Sequence, residues 1–270
     1  MFITWCLYLI SNLYIDLDLV KYILPYGIPR NSYVVLAGEG GSGKSLLVTN
    51  IAKTLLEKGE PVVYISFDDD PLTIVNQFKS LSVDVLEYSG KGLFYIIDGY
   101  TYMMRGKTGK LHEVVVEEID PHDIDQAIDV IIRFLNEGGI RDRGIVIIDS
   151  LNEFLNYHDV SRVLEFVKLS RANISKLRNI LAFTILHTTT DYYMEFLHSI
   201  EHLVDGIIFT ETVVEHPMAE QVPLPLRRIL VKKMKGVGHK VTWTFYIIDR
   251  EGIKPVRIIR EESSPSEREG

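Results

Sequence analysis

The sequence predicts an α/β protein: a mostly parallel, twisted sheet flanked by helices, with antiparallel strands at the C-terminal edge. Near-continuous apolar runs are typical of strands buried on both faces of a parallel sheet. Such runs lie at residues 33–37, 62–67, 93–97, 145–148 and 180–186. Amphipathic stretches separate most of them, which indicates helices in right-handed crossover connections. A glycine-rich segment follows the first run, as expected where a strand feeds directly into a helix.

Proline and glycine mark the ends of the predicted helices. The pairs Asp70–Pro71 and Asp120–Pro121 each predict an N-cap with proline in the first turn. We expect the first helix to run through Phe78 and the second to stop at Gly138. A third helix is predicted over about residues 161–177.

The last third of the chain changes character. Strand-like runs at 207–209, 228–231 and 241–246 predict antiparallel hairpins at one edge of the sheet. Residues 100–119 stand out as an insertion with a basic tip at 105–110, and an exposed hairpin is predicted there. A basic tip is usually only solvated, but contact with a protein partner stays open.

The length of the chain, 270 residues, suits one large domain, which we place at residues 19–260. Residues 1–18 would be an N-terminal extension, and the polar residues 261–270 a disordered tail. Residues 1–10 are apolar, but they lack a basic leader and are shorter than the ~20 residues of a spanning helix. We therefore expect no membrane span; a peripheral element and an over-extended start codon are the explanations left open.

Composition narrows the classes of function. Hydrophobic residues make up 46% and charged residues 24% of the chain, as in a globular protein. The net charge of −8 disfavours strong unaided binding to nucleic acid, because lysine and arginine supply most nonspecific affinity. Cys6 is the only cysteine, so an intramolecular disulfide is excluded and a cytoplasmic location is expected.

The glycine-rich segment lies between the run 33–37 and a helical pattern that ends near Gly59, and it has the sequence of a phosphate-binding loop. Its predicted nucleotide-binding residues are Gly38, Glu39, Gly40, Gly41, Ser42, Gly43, Lys44 and Ser45. The glycines let backbone N–H groups approach phosphate oxygens, and the helix directs its positive end at the same charge. Lys44 is predicted to reach the β and γ phosphates, and the Ser45 hydroxyl to ligate Mg²⁺.

A carboxylate that helps to hold Mg²⁺ is expected at the end of a neighbouring strand. Asp149 follows the buried run 145–148, which would deliver it to the C-terminal edge of the sheet. Asp98 and Asp249 also follow apolar runs. Asp149 is favoured because two strand-helix units separate it from the loop, whereas Asp98 precedes the insertion and Asp249 lies in the antiparallel tail.

Several segments together resemble the KaiC/RadA-like branch of the RecA superfamily of ATPases. They are residues 27–32, 38–45, 65–69, 149–150 and 233–239. The resemblance spans about residues 19–259 and is to single-domain archaeal KaiC-like proteins more than to the two-domain clock protein. It implies a RecA-like P-loop NTPase core, ATP and Mg²⁺ as cofactors, and a homo-oligomeric ring or filament, such as a hexamer, with ATP at the subunit interfaces.

The resemblance also implies catalytic residues. Lys44 would act on the phosphates, and Asp68 and Asp69 match a pair of glutamates, the first of which orients the attacking water. Aspartate is one methylene shorter, and a shortfall of about 1 Å can cost ~10²-fold in rate, so slow hydrolysis is expected. The alternative is that these acids only cap the helix at Pro71, a task expected of Asp70.

Lys233 and Lys235 match the family's basic residues that reach the γ-phosphate bound by the adjacent subunit. Lysine replaces the arginine usual at the second position, which keeps the charge but loses the planar fork. Alternation along a strand would place both on one face. The alternative is a solvated edge strand protected by lysines.

Histidines are weaker candidates. His187 ends the run 180–186, beside the expected strand of Asp149, and could sense the γ-phosphate. His198 and His202 have the spacing of a metal pair on one helix face, but no third ligand is apparent and a solvated face is favoured.

Two classes of function remain. The first is a Mg-dependent ATPase whose slow hydrolysis is coupled to oligomer assembly, in a regulatory or recombination-linked role that only the resemblance implies. The second is a nonhydrolytic ATP-binding scaffold for a protein partner, and the pair Asp68–Asp69 discriminates between them. DNA handling is disfavoured, because the loops at 188–194 and 211–225 are acidic or neutral.

Overall fold

A computed structural model describes residues 11–256 of the chain, except residues 108, 111, 218, 220, 221, 223, 250 and 251. The predictions made for residues 1–10 and for the tail 261–270 therefore lie outside the described residues. Within the described part, no helix is long and apolar enough to cross a membrane.

The secondary structure alternates between strands and helices over most of the chain. The strands are β1 (Asn12–Leu13), β2 (Ile28–Pro29), β3 (Tyr33–Gly38), β4 (Val62–Ser66), β5 (Phe94–Asp98), β6 (Val115–Glu118), β7 (Ile145–Asp149), β8 (Leu181–His187), β9 (Gly206–Thr212), β10 (Arg227–Met234), β11 (Thr244–Asp249) and β12 (Gly252–Pro255). The helices are α1 (Asp18–Ile23), α2 (Lys44–Glu57), α3 (Pro71–Ser80), α4 (Val85–Gly90), α5 (Ile124–Glu137), α6 (Leu151–Tyr157), α7 (Val160–Ser170) and α8 (Asp191–Ile200).

The main sheet has 10 strands in the order β12-β11-β10-β9-β3-β8-β7-β4-β5-β6. Strands β9, β3, β8, β7, β4, β5 and β6 pair in parallel. Strands β10, β11 and β12 extend the sheet by antiparallel pairing from β9. The predicted fold class is confirmed, including the antiparallel strands at the C-terminal edge. A small sheet pairs β1 with β2.

Hydrophobic cores lie on both faces of the sheet. Val34 and Leu36 of β3 pack into the core beneath α1 and α2, whereas Val35 and Ala37 of the same strand face the core beneath α5 to α8. Because both faces are covered, successive strand residues are all apolar, which is the cause of the near-continuous runs in the sequence.

Helix starts follow the capping prediction at one site and depart from it at another. Asp70 caps α3 by accepting hydrogen bonds from the backbone N–H groups of Leu72 and Thr73. The prediction for Asp120–Pro121 is wrong, because α5 begins at Ile124 and its N-cap is Asp123. Asp120 instead accepts a hydrogen bond from the backbone of His122, which closes a turn before the helix.

The predicted hairpin at residues 100–119 is also wrong. Over its described residues this segment forms a 3₁₀ turn, Thr101–Met103, and then the single strand β6. Strand β6, which contains the valine-rich run, pairs in parallel with β5 and forms the edge of the sheet. The run therefore hydrogen-bonds to β5 and not to a hairpin partner within the segment. The predicted helix at 161–177 corresponds to α7 followed by a π-helical segment, Arg171–Lys176.

Candidate functional site

The glycine-rich loop connects β3 to α2 at the C-terminal edge of the parallel strands. Gly38 has a φ of 152°, and a Cβ there would lie 2.1 Å from the carbonyl oxygen of Thr210. Gly43, the N-cap of α2, has a φ of 91°, and a Cβ there would lie 2.8 Å from Ile248. Gly38 therefore requires glycine for both space and conformation, whereas Gly43 requires it for its left-handed conformation.

Strands β9, β10 and β11 contact the loop from one side. The Ser42 and Thr210 hydroxyls are 2.8 Å apart, and the Tyr246 hydroxyl donates to the Ser42 carbonyl at 2.6 Å. The Arg227 Nε donates to the Gly41 carbonyl at 3.2 Å. Sequence reasoning missed these supports, because β9, β10 and β11 carry no motif that links them to the loop.

The Lys44 side chain is buried at the base of the loop. Its Nζ donates to the Gly38 carbonyl at 2.9 Å and to the Glu39 carbonyl at 2.6 Å. Burial lowers the pKa of Lys44 to about 8, against the opposing effect of the carboxylates of Asp149 and Asp68. The structure thus places Lys44 between the loop and the acidic residues.

Asp149 ends β7, which lies between β8 and β4 in the sheet. The Tyr64 hydroxyl donates to its Oδ2 at 2.6 Å, whereas its buried Oδ1 has no hydrogen-bond partner among the described residues. Burial, and then the nearby charge of Asp68, raise the pKa of Asp149 to about 6. The peptide bond from Asp149 to Ser150 is cis.

The two alternative carboxylates have other partners. Asp98 accepts hydrogen bonds from the backbone N–H groups of Tyr100 and Thr101, each at 3.0 Å, and so caps the turn after β5. Asp249 lies 2.8 Å from the Lys254 ammonium. Of the three, Asp149 is the carboxylate whose charge acts on Lys44.

The neighbouring residues Asp68 and Asp69 point to different partners. Asp68 accepts a hydrogen bond from the Ser150 hydroxyl at 3.0 Å, and its other oxygen lies 3.0 Å from the His187 Nε2. Asp69 accepts from the Gln77 side chain on α3 at 3.2 Å, and burial raises its pKa. Of the two, Asp68 is joined to the strand ends that carry Asp149 and His187.

His187 lies at the end of β8, and Asn152 on α6 holds its backbone on both sides. The His187 N–H donates to the Asn152 Oδ1 at 2.7 Å, and the Asn152 Nδ2 donates to the His187 carbonyl at 2.9 Å. The prediction that the strand of His187 neighbours the strand of Asp149 is confirmed. Asn152 itself was missed, because a lone asparagine on a helix carries no spacing signal.

Three side chains at this edge bring potential metal-ligating atoms together. Ligand atoms of Asp68, Asp149 and His187 all lie within 4.8 Å of one another. The buried, unpartnered Oδ1 of Asp149 is a hard oxygen ligand of the kind that Mg²⁺ prefers. The chemistry of the Asp149 carboxylate therefore fits a hard cation such as Mg²⁺.

Lys233 and Lys235 lie far from this cluster. Lys233 pairs with Ile207 near the start of β9, whereas the phosphate-binding loop adjoins Thr210 farther along the same strand. The Lys233 ammonium donates to the carbonyls of Glu201 and Val204, the latter at 2.9 Å. Lys235 is exposed just beyond β10, so both lysines lie near the sheet edge opposite their own loop.

The structure gives no support to a metal site at His198 and His202. His198 is exposed on α8, and His202 follows the end of that helix. Among the described residues, neither joins a group of three metal-ligating side chains. Both side chains are exposed.

A parallel sheet with a glycine-rich loop, a buried lysine and an aspartate at the adjacent strand ends defines a P-loop nucleotide-binding protein of the RecA-like class. The family described as "ATPase: KaiC" matches residues 16–260. The chain belongs to this family.

Two relatives and one solved structure illustrate the similarity to known proteins. A UPF0273 protein of Methanocaldococcus jannaschii is 29% identical over 233 residues, which covers 86% of this chain and 90% of that protein. A UPF0273 protein of Aeropyrum pernix is 28% identical over 254 residues, covering 89% of this chain and 94% of that protein. The crystal structure of a KaiC-like protein from Pyrococcus horikoshii matches with a TM-score of 0.68 at 17% identity, over 92% of this chain and 100% of that one, and so shares its fold.

Proposed function

We propose that this chain is a cytoplasmic Mg-dependent ATPase that binds ATP at residues 38–45, hydrolyses it slowly and couples its nucleotide state to homo-oligomer assembly. The observation that carries the proposal is the convergence of Lys44, Asp149, Asp68 and His187 at one edge of the sheet. Family membership supports ATP as the nucleotide.

Each residue of the loop has a role in this proposal. The backbone N–H groups and Lys44 would bind the phosphates, while Ser45 and Asp149 would hold Mg²⁺. When bound, the ion supplies positive charge to the phosphate oxygens. Lys44 is already desolvated, so its interaction with phosphate would be stronger than that of an exposed lysine.

Asp68 is the residue best placed to orient the attacking water. It lies at the mouth of the cluster with its carboxylate 30% exposed, and its contacts to Ser150 and His187 fix its direction. Asp69 is turned toward Gln77, so in this proposal it supports the loop rather than the water.

The opposite positions of the loop and the two lysines support the assembly part of the proposal. In a head-to-tail arrangement, the edge of one copy that carries Lys233 and Lys235 would meet the loop of the next. Repetition of that contact would build the ring or filament implied by the family resemblance. Lys233 would have to exchange its carbonyl partners for the γ-phosphate of the neighbouring site.

Turnover measurements test the catalytic proposal. ATP hydrolysis is measured for the wild type, Asp68→Ala and Lys44→Ala, with ATP binding measured in parallel. We expect Asp68→Ala to bind ATP but to lose the Mg-dependent turnover of the wild type, and Lys44→Ala to lose both. A wild-type rate no higher than that of Asp68→Ala would reject hydrolysis.

That outcome would favour the second candidate, a nonhydrolytic ATP-binding scaffold for a partner protein. One observation favours this candidate: both carboxylate oxygens of Asp68 already have partners, Ser150 and His187. Hydrolysis requires at least one of these contacts to give way to water, whereas binding does not.

The assembly proposal has its own test, with a control on the same strand. The double variant Lys233→Ala/Lys235→Ala is compared with Lys232→Ala, whose ammonium pairs with Glu201 on the exposed surface. Assembly is followed by light scattering with ATP present. We expect assembly to fail only in the double variant; unchanged assembly and turnover would reject the interface role.

A further inference from the structure

Three side chains with metal-ligating atoms meet at the ends of adjacent strands. Asp149 ends β7 and His187 ends β8, while Asp68 lies just beyond β4 on the other side of β7. Their ligand atoms lie within 4.8 Å of one another. The set contains an imidazole nitrogen and two carboxylates, which is a different chemistry from the all-oxygen environment that Mg²⁺ selects.

One residue of this cluster carries a buried polar atom without a partner. Asp149 is 3% exposed, and its Oδ1 has no partner among the described residues, whereas its Oδ2 accepts from Tyr64. A buried carboxylate oxygen without a partner is costly. A cation that bound to Oδ1 would remove that cost without disturbing the contact to Tyr64.

The other two ligands are held in place by residues outside the cluster. Asn152 makes hydrogen bonds to the N–H and the carbonyl of His187, and Ser150 donates to the Asp68 Oδ1. The Asp68 Oδ2 and the His187 Nε2 face each other at 3.0 Å. The Ser150 contact orients the Asp68 carboxylate, and the Asn152 contacts fix the backbone that carries His187.

We propose that Asp68, Asp149 and His187 bind a borderline divalent transition-metal ion, such as Co²⁺ or Zn²⁺, in the absence of nucleotide. This site differs from the Mg²⁺ position at Ser45 and Asp149, because it uses a nitrogen ligand and requires neither the loop hydroxyl nor a phosphate. It stands independently of ATP hydrolysis.

The geometry needs only a small adjustment. In a tetrahedral site, bonds of about 2.0–2.2 Å place two ligand atoms roughly 3.3–3.6 Å apart. The ligand atoms, which now lie within 4.8 Å of one another, would have to move closer by about 1 Å when an ion binds. The nearby Lys44 ammonium is already bound to the carbonyls of Gly38 and Glu39 and can remain there.

Occupancy would affect turnover. Asp68 cannot ligate a transition metal and orient a water for attack on ATP at the same time. The ion would therefore hold the protein in a nonhydrolytic state until Mg-ATP displaced it from Asp149. In that role the cluster would make hydrolysis sensitive to transition-metal supply.

The direct test is titration of nucleotide-free protein with CoCl₂, followed by visible absorbance and calorimetry. We expect one ion per chain in the wild type, and at least ~10-fold weaker binding in His187→Gln and in Asp68→Asn. His198→Gln controls for a histidine outside the cluster, and Ser45→Ala for the Mg²⁺ position; both should bind as the wild type does. Circular dichroism reports whether each variant is folded, and a misfolded His187→Gln leaves Asp68→Asn as the decisive variant.

Absence of Co²⁺ binding to the wild type, or equal binding by the wild type and a folded cluster variant, would overturn the proposal. Loss of Co²⁺ binding in Ser45→Ala would also overturn it, because the ion would then occupy the Mg²⁺ position. The ATPase proposal is tested separately, by measuring turnover of Mg-ATP by protein from which transition metals have been removed. Absence of turnover there would reject ATP hydrolysis without bearing on Co²⁺ binding.

Discussion

The Tyr64 hydroxyl donates a hydrogen bond of 2.6 Å to the Oδ2 of Asp149 and leaves the Oδ1 of that carboxylate without a partner. Both side chains are buried, and Tyr64 packs edge to face against Phe78 at 6.4 Å between ring centroids. The tyrosine therefore fixes which oxygen of Asp149 is available to a cation. It was not recognised from the sequence, because a tyrosine in an apolar strand is indistinguishable from any other core aromatic.

Substitution Tyr64→Phe tests this positioning role. The ring would still pack, but Asp149 would lose the hydrogen bond that orients it. We expect Mg²⁺ to support ATP binding only at about 10- to 100-fold higher concentration, the usual effect of removing a residue that orients a metal ligand. The half-saturating Mg²⁺ concentration is the measurement. Tyr95→Phe, which removes a hydroxyl that donates to the Gly92 carbonyl, is the matched control.

Lengthening the Asp68 side chain, which is proposed to orient the attacking water, should raise the rate of ATP hydrolysis. In Asp68→Glu the carboxylate extends by one methylene, and we expect turnover to rise, by up to ~10²-fold if a shortfall of about 1 Å limits the wild type. The rate constant is measured at saturating Mg-ATP. A glutamate variant that is no faster than the wild type would show that the length of this side chain is not limiting.

Glycine-to-alanine substitutions in the loop should differ in their effect on stability, because the space around each glycine differs. Gly38→Ala would bring a Cβ to 2.1 Å from the Thr210 backbone, at a φ of 152°, and should cost several kcal/mol of unfolding free energy. Gly40→Ala meets no atom within 4 Å and should leave folding intact. Thermal unfolding measures the difference. Equal stability of the two variants would contradict the requirement for glycine at Gly38.

Asp205 joins several elements at the opposite edge of the sheet. Its carboxylate accepts from the Tyr33 N–H at 3.1 Å and pairs with Arg171 at 2.8 Å and Lys176 at 2.9 Å. Burial alone would raise the pKa of Asp205, but the hydrogen bonds from Arg171 and Lys176 outweigh it and hold the pKa below its ordinary value of 3.8. The charged form is therefore the one that the fold stabilises.

We expect Asp205→Asn to lose about 1–3 kcal/mol of unfolding free energy at neutral pH, because it leaves two cations without their counter-charge. Since the folded pKa is depressed, the contribution is complete above the ordinary pKa of 3.8 and is lost as the pH falls below it. Urea unfolding of both proteins across that range measures it. A difference between wild type and variant that does not shrink in acid would contradict this account.

Much of the fold follows from local signals. The parallel strands, which are covered by a hydrophobic core on each face, appear in the sequence as continuous apolar runs. Helix α3 begins at Pro71 with Asp70 as its N-cap, as the capping rules predict. The errors also have physical causes. Asp120–Pro121 offers the same local signature, but the chain closes a turn there and Asp123 caps α5. The run at 115–118 has strand propensity, yet whether it pairs within a hairpin or with β5 depends on an edge that is distant in sequence.

The sequence by itself determined the phosphate-binding loop, the class of fold and the candidacy of Asp149, because each rests on residues adjacent in the chain or on strand periodicity. Only the tertiary structure distinguished Asp68 from Asp69 as candidates. Asp68 contacts Ser150 and His187, whereas Asp69 contacts Gln77. It also brought Tyr64 to Asp149, across 85 positions of sequence. The physical reason is that neighbouring strands of a parallel sheet come from distant parts of the chain, so the chemistry at their ends is assembled by pairing rather than by sequence order.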